Sequence, residues 1–151
     1  RKVVPAALKK AEDTQNPAAA LELPDGQIIT GKTSPLLGAS AALLLNALKT
    51  LAGLDDELHL ISPSVIEPIQ KLKISLGSKN PRLHTDEVLI ALSICAATDS
   101  NARLALEQIP KLNGCQAHTS VMLSSVDIKQ FKRLNVQLTS EAKYENKRIY
   151  H

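Results

Sequence analysis

Between Thr33 and Leu48 the chain carries no charged residue, and Leu36, Leu37, Ala41, Leu43, Leu44, Leu45, Leu48 and Leu51 fall on every side of a helix drawn through them. A helix that is apolar all round has to lie inside a protein, covered on more than one side. Ser34-Pro35 reads as a cap followed by the first helical position, and Gly53 as the stop, which predicts a helix over Pro35 to Ala52. The uncharged stretch is shorter than the roughly 18–20 apolar residues of a membrane span, and Ser34, Pro35, Gly38, Ser40 and Asn46 interrupt it. It is therefore expected at the centre of a water-soluble core. A chain of 151 residues can build such a core as one domain.

The elements around it follow from local signals. Pro5 to Asp13 reads as a short helix, broken by Thr14-Gln15-Asn16-Pro17. Ala18 to Leu23 and Gln27 to Gly31 flank Pro24-Asp25-Gly26, a turn in which Pro fixes φ and Gly accepts a positive one, so a β-hairpin is expected. Leu58 to Ser62 reads as a short strand. A capping box at Ser64-Val65-Ile66-Glu67 opens a helix to about Leu76, stopped by Gly77. Thr85 is expected to cap a helix to about Ala97, and Asn101 to Leu112 a further helix that Pro110 interrupts. Cys115 to Leu123 and Val136 to Lys143 read as strands on either side of a helix from Asp127 to Leu134. Strands and helices alternate after the hairpin, which favours a sheet covered by helices on both faces.

Composition removes several function classes. Lys and Arg number 18 against 15 Asp and Glu, and a net charge of +3 is too small for a phosphate-backbone footprint. Phe131, Tyr144 and Tyr150 are the only aromatic residues, too few for a base-stacking surface. Neither nucleic acid nor a membrane is an expected partner. The start, Arg1-Lys2-Val3-Val4-Pro5, shows no apolar run of a signal peptide and no initiating Met, which suggests a piece of a longer chain. Two cysteines without a C-x-x-C spacing suit a reduced, cytoplasmic setting and core packing; they form no zinc or other metal site.

Gly26-Gln27-Ile28-Ile29-Thr30-Gly31-Lys32-Thr33 formally matches the phosphate-loop expression G-x-x-x-x-G-K-[ST]. The context is wrong for one. The first Gly belongs to the Pro-Asp-Gly turn, and the β-branched residues between the glycines favour a strand over a nest of amides around phosphate.

A strand-to-helix junction at Lys32, Thr33 and Ser34 can still seat an anion, with Gly38, Ala39 and Ser40 small enough for close approach; equally, Ser34 can be a plain cap and the small residues packing. Lys79, Asn80, Arg82 and His84 precede another helix start, either as an anion seat with an acid–base histidine or as a solvated loop whose Asp86 and Glu87 favour the dipole. His118 and Ser120 share one face of a strand. As a proton-transfer pair they lack an orienting third group, and a hydrogen-bonded core histidine is the alternative.

The strings Leu23-Pro24-Asp25-Gly26-Gln27-Ile28-Ile29-Thr30-Gly31-Lys32-Thr33-Ser34, Leu76-Gly77-Ser78-Lys79-Asn80-Pro81-Arg82-Leu83-His84-Thr85-Asp86-Glu87 and Ala105-Leu106-Glu107-Gln108-Ile109-Pro110-Lys111-Leu112 resemble the C-terminal part of uncharacterised protein family 0371, from about Val3 to Tyr150. These are mainly bacterial proteins considerably longer than this chain, without an established activity. The resemblance implies an α/β fold, a three-layer αβα sandwich with a mixed sheet broadly similar in topology to cytidine deaminases. Residues 1–16 would end a preceding helical region and residues 17–151 would form the subdomain. It carries over no catalytic residue or cofactor, since deaminases need H-x-E and P-C-x-x-C for zinc, and His84 is followed by Thr85-Asp86.

Two functions remain in view. In one, Lys32, Thr33 and Ser34 form one wall of a pocket for a small anionic or phosphorylated ligand, and Lys79, Asn80, Arg82 and His84 another, with His118 as an outlying proton-transfer candidate. In the other, the chain packs against the rest of a larger protein or a second copy and performs no chemistry. A shared pocket requires the two loops to lie together.

Overall fold

The computed structural model describes residues 1–143. Its elements are α1 (Val3–Thr14), β1 (Ala18–Glu22), β2 (Ile28–Lys32), α2 (Ala39–Leu51), α3 (Pro63–Ser75), α4 (Thr85–Cys95), α5 (Ser100–Leu106), a 3-10 turn (Ile109–Leu112), β3 (Gln116–Thr119), α6 (Ser125–Arg133) and β4 (Gln137–Ser140). The strands form one mixed sheet in the order β2-β1-β3-β4. β1 is antiparallel to both neighbours, and β3 and β4 are parallel.

The hairpin forms as its turn chemistry dictates. The Gly26 amide donates to Leu23 O at 2.9 Å, the Leu23 amide to Gln27 O at 2.8 Å, and Gly26 sits at φ +90°. Three of the five residues of β1 are alanine, and its side chains alternate between two cores. Ala20 meets Val3 and Ala7 of α1 on one face, while Ala19 and Leu21 join Leu43, Leu44 and Leu48 of α2 on the other. Small strand residues let a helix come close on each side. The apolar helix is buried as its sequence requires, and Phe131 of α6 fills the same core. Among the described residues no helix is long and apolar enough to cross a membrane.

Several expectations need correction. The central helix starts at Ala39, four residues after Pro35, because Leu36 and Leu37 are engaged elsewhere. The Leu83 amide donates to Leu36 O at 3.0 Å and the Gly38 amide to Leu83 O at 3.2 Å, an isolated parallel bridge. Ser34 caps this turn instead of the helix, accepting from the Leu36 and Leu37 amides.

Leu58 to Ser62 is no strand. Lys49 reaches from α2 to donate to Asp56 O (2.7 Å) and Leu58 O (3.3 Å), while Leu60 and Ile61 pack into the core as irregular chain. α3 begins at Pro63 with Ser62 at its N-cap, so Ser64 lies inside the helix; Ser62 and Ser64 hydroxyls bond one another at 2.6 Å. His84, not Thr85, is the N-cap of α4. Asn101 to Leu112 divides into α5, capped by Asp99, and the 3-10 turn containing Pro110. The last two strands are shorter than read, four residues each.

Candidate functional site

The bridge between Leu37 and Leu83 brings the two polar loops side by side. Arg82 Nε donates to Ser34 O at 2.8 Å across that junction. The second loop is stiffened from within: Asn80 Oδ1 accepts the Arg82 amide at 3.1 Å, and Ser78 Oγ accepts the Asn80 amide at 3.2 Å. From α3, Lys73 Nζ donates to Arg82 O (2.6 Å) and to Glu87 Oε1 (2.8 Å), fixing the end of α3 beside the first turn of α4. Lys79 is exposed at the loop's tip.

At the start of α4 the chain supplies its own anions. Glu87 Oε1 accepts the His84 amide at 2.8 Å, the reciprocal half of a capping box, and Asp127 Oδ1 accepts the Thr85 amide at 3.0 Å. These orphan helix amides are thus already met by carboxylates, and what the loop offers a ligand is side chains instead of open amides.

Asp127 is the residue that sequence reasoning passed over. Its place in the sequence marks only the start of a helix, and the structure makes it the buried centre of the cluster. Its Oδ1 accepts Thr85 Oγ1–H at 2.6 Å as well as the Thr85 amide, and its Oδ2 lies 3.3 Å from His84 Nδ1. Burial alone would push the Asp127 carboxyl up, but the hydrogen bonds from His84 and Thr85 outweigh it and hold the group below the ordinary carboxylate range. The same bond to Asp127 raises His84 above the usual imidazole value against the opposing effect of burial. Ser124-x-x-Asp127 was the available signal: Ser124 Oγ accepts the Asp127 amide at 3.3 Å, which sets the first turn of α6. Nothing local reveals that α4 docks there.

An acceptor carboxylate at Nδ1 assigns the proton of the neutral ring to that nitrogen and leaves Nε2 without a hydrogen-bond partner among the described residues. The His84 side chain keeps about a quarter of its surface exposed. A histidine oriented by a buried carboxylate can take and return a proton near neutral pH.

The sheet separates the other candidates from this cluster. Lys32 pairs with Ala18 and His118 with Ala20, so both side chains point to the α1 side, whereas α2 covers the opposite face. His118 is buried with both ring nitrogens engaged, Nδ1 to Thr139 Oγ1 at 2.6 Å and Nε2 to Glu141 Oε2 at 2.8 Å. Ser120 Oγ accepts the Ala18 amide at 2.9 Å. Thr33 is buried, its amide donating to Pro17 O. Ser34, Asn80 and Arg82 are joined by hydrogen bonds, and His84 follows two residues on with its ring against Asp127; Lys32 and His118 lie on the other face of the sheet.

Among the described residues no three His, Cys, Asp or Glu side chains gather as metal ligands. Cys95 lies in α4, while burial pushes the Cys115 thiol up, away from the thiolate form.

The family model for the C-terminal part of the domain of unknown function DUF1846 matches residues 1–150. The UPF0371 protein of Corynebacterium aurimucosum is 64% identical over 97% of this chain, that of Corynebacterium diphtheriae 58% over 99%, and that of Streptococcus pyogenes serotype M5 48% over 99%. The chain spans about 30% of the length of these curated relatives. It belongs to the DUF1846 C-terminal family and forms the C-terminal part of a UPF0371 protein, a family of unknown function with bacterial members.

Proposed function

We propose that this DUF1846 C-terminal domain binds a small anionic ligand, phosphorylated or carboxylate, beside His84, with Arg82 and Lys79 as the cations that attract it and His84 as the group that exchanges a proton with it. One observation carries the reading: a partly exposed imidazole held at one nitrogen by the buried Asp127 carboxylate, two residues from an arginine on a stiffened loop. Ser34 and Asn80 act by shaping the two loops. Lys32 and His118 drop out of the pocket because their side chains face α1.

The mixed sheet with α1 on one face and α2 on the other supports the broadly cytidine-deaminase-like topology as part of this reading. The zinc of that family does not fit the residues present. His84-Thr85-Asp86 lacks the glutamate, Cys95 sits within α4, and Cys115 Sγ is turned to Lys111 O at 3.6 Å, so no step runs through a metal.

The test is a thermal-shift screen of the full-length protein with inorganic phosphate, nucleotides, sugar phosphates and carboxylates. A stabilising ligand should lose its effect in Lys79→Ala and Arg82→Ala, and keep it in Lys32→Ala. Equal shifts in all four proteins, or none with any compound, would remove the proposal.

A further inference from the structure

The apolar stripe of α3 is used by the fold over only half its length. Ile66 is buried and Val65 and Ile69 pack partly buried against the core, while Leu72 and the C-cap Leu76, farther along, are 57% and 77% exposed. α4 does the same on its outer side, where Ile90 and Ile94 are 61% and 66% exposed. The Lys73–Glu87 ion pair joins the two stripes. Leu76 lies one turn beyond Lys73, and Ile90 and Ile94 lie one and two turns beyond Glu87, so apolar side chains flank the bridge on both helices. Isolated exposed leucines are ordinary, but exposed large aliphatic side chains on both of the helices that the Lys73–Glu87 bridge links make a face that proteins in water normally cover.

Beyond the ligand reading, and independent of it, we propose that this α3–α4 face is the docking surface for the remainder of the longer UPF0371 chain, the part that precedes this C-terminal domain. The relatives leave more than two thirds of their length outside the matched region, and the matched model is that of a C-terminal portion. A covalently attached partner of that size meets the face at high effective concentration, whereas a second copy must find it by diffusion. The mixed character of the face, aliphatic side chains on two helices linked by an ion pair, suits an interface between domains of one chain.

The experiment uses the full-length protein with Ile94→p-benzoylphenylalanine, irradiated and analysed by mass. The expected product has the mass of a monomer, with the cross-linked peptide drawn from the region preceding this domain. In parallel, Leu76→Asp combined with Ile94→Asp should lower the full-length Tm by about 4 °C or more, while Val126→Asp, at an exposed position on α6, should change it little. A dimer-mass product would assign the face to a second copy and overturn the proposal. No cross-link together with an unchanged Tm would show the face bare and overturn it equally.

Discussion

Thr85 gives Asp127 two hydrogen bonds from a position with no solvent exposure, one from its amide and one from its hydroxyl. Thr85→Val keeps the shape and removes the hydroxyl donor, leaving a buried carboxylate short of a partner. The expected loss is about 1.5–3 kcal/mol in chemical denaturation, since bonds to charged groups are worth that much. The pair with His84 makes the stability depend on pH, and the signs differ for its members. His84 is raised, so its contribution is complete below its ordinary value of 6.5 and fades as pH rises through the folded value. Asp127 is lowered, so its contribution is present above 3.8 and fades as pH falls through the folded value. Denaturation midpoints of wild type and Asp127→Asn should therefore differ most between pH 3.8 and 6.5, draw closer as pH rises through the folded value of His84 while the Thr85 bonds keep part of the gap, and converge as pH falls through the folded value of Asp127. In the same variant the His84 imidazole, followed by NMR, should titrate at lower pH than in wild type. A gap that stayed constant as pH rose from 6.5 through the folded value of His84 would show that the two side chains are not coupled.

At the level of elements, the glycines of the false phosphate loop show what that string is for. A Cβ on Gly31 would lie 2.4 Å from the Leu43 amide nitrogen and 2.8 Å from Ala39 O, both backbone atoms of α2. Gly31 is the point where strand β2 and the apolar helix touch, and neither can yield without moving an element. Gly31→Ala should cost about 3 kcal/mol or more, at the upper end of overpacking effects. Gly26→Ala has open space around it and only its φ of +90° to oppose it, a cost of about 1–2 kcal/mol. Comparable denaturation midpoints for the two would contradict this account. The extended, paired backbone from Ile28 to Lys32 was legible in the sequence because turn chemistry and β-branched residues agreed. The helix start was not legible at Pro35, because the competing partner, Leu83, lies far along the chain. Leu58 to Ser62 misled for a related reason: apolar alternation records burial, and the Lys49 ammonium, not a neighbouring strand, takes the Leu58 carbonyl and that of Asp56 just before it.

For the molecule as a whole, the legible part of the candidate site was the pair of loops, each with its own turn and cap residues. Their adjacency and the Asp127 carboxylate beneath His84 arise from packing of α2, α4 and α6, which no local pattern encodes. The same limit applies to α1. Its sequence reads as the end of something preceding, and residues 1–16 remain proposed as the tail of a preceding region. In the structure, however, Val3 and Ala7 are fully buried against Ala20 of the central strand. If α1 is an integral layer of the sandwich, its loss would uncover the face of β1 opposite α2 and leave the hairpin supported from one side alone. Ala7→Asp places an unpaired carboxylate in that dry contact, at a cost of several kcal/mol by the usual penalty for burying charge. In the full-length protein this variant should lower the unfolding midpoint of the whole C-terminal domain, with faster amide exchange along β1 and β3. If exchange accelerated only within residues 1–16, α1 would be a separable tail and the sheet stable without it.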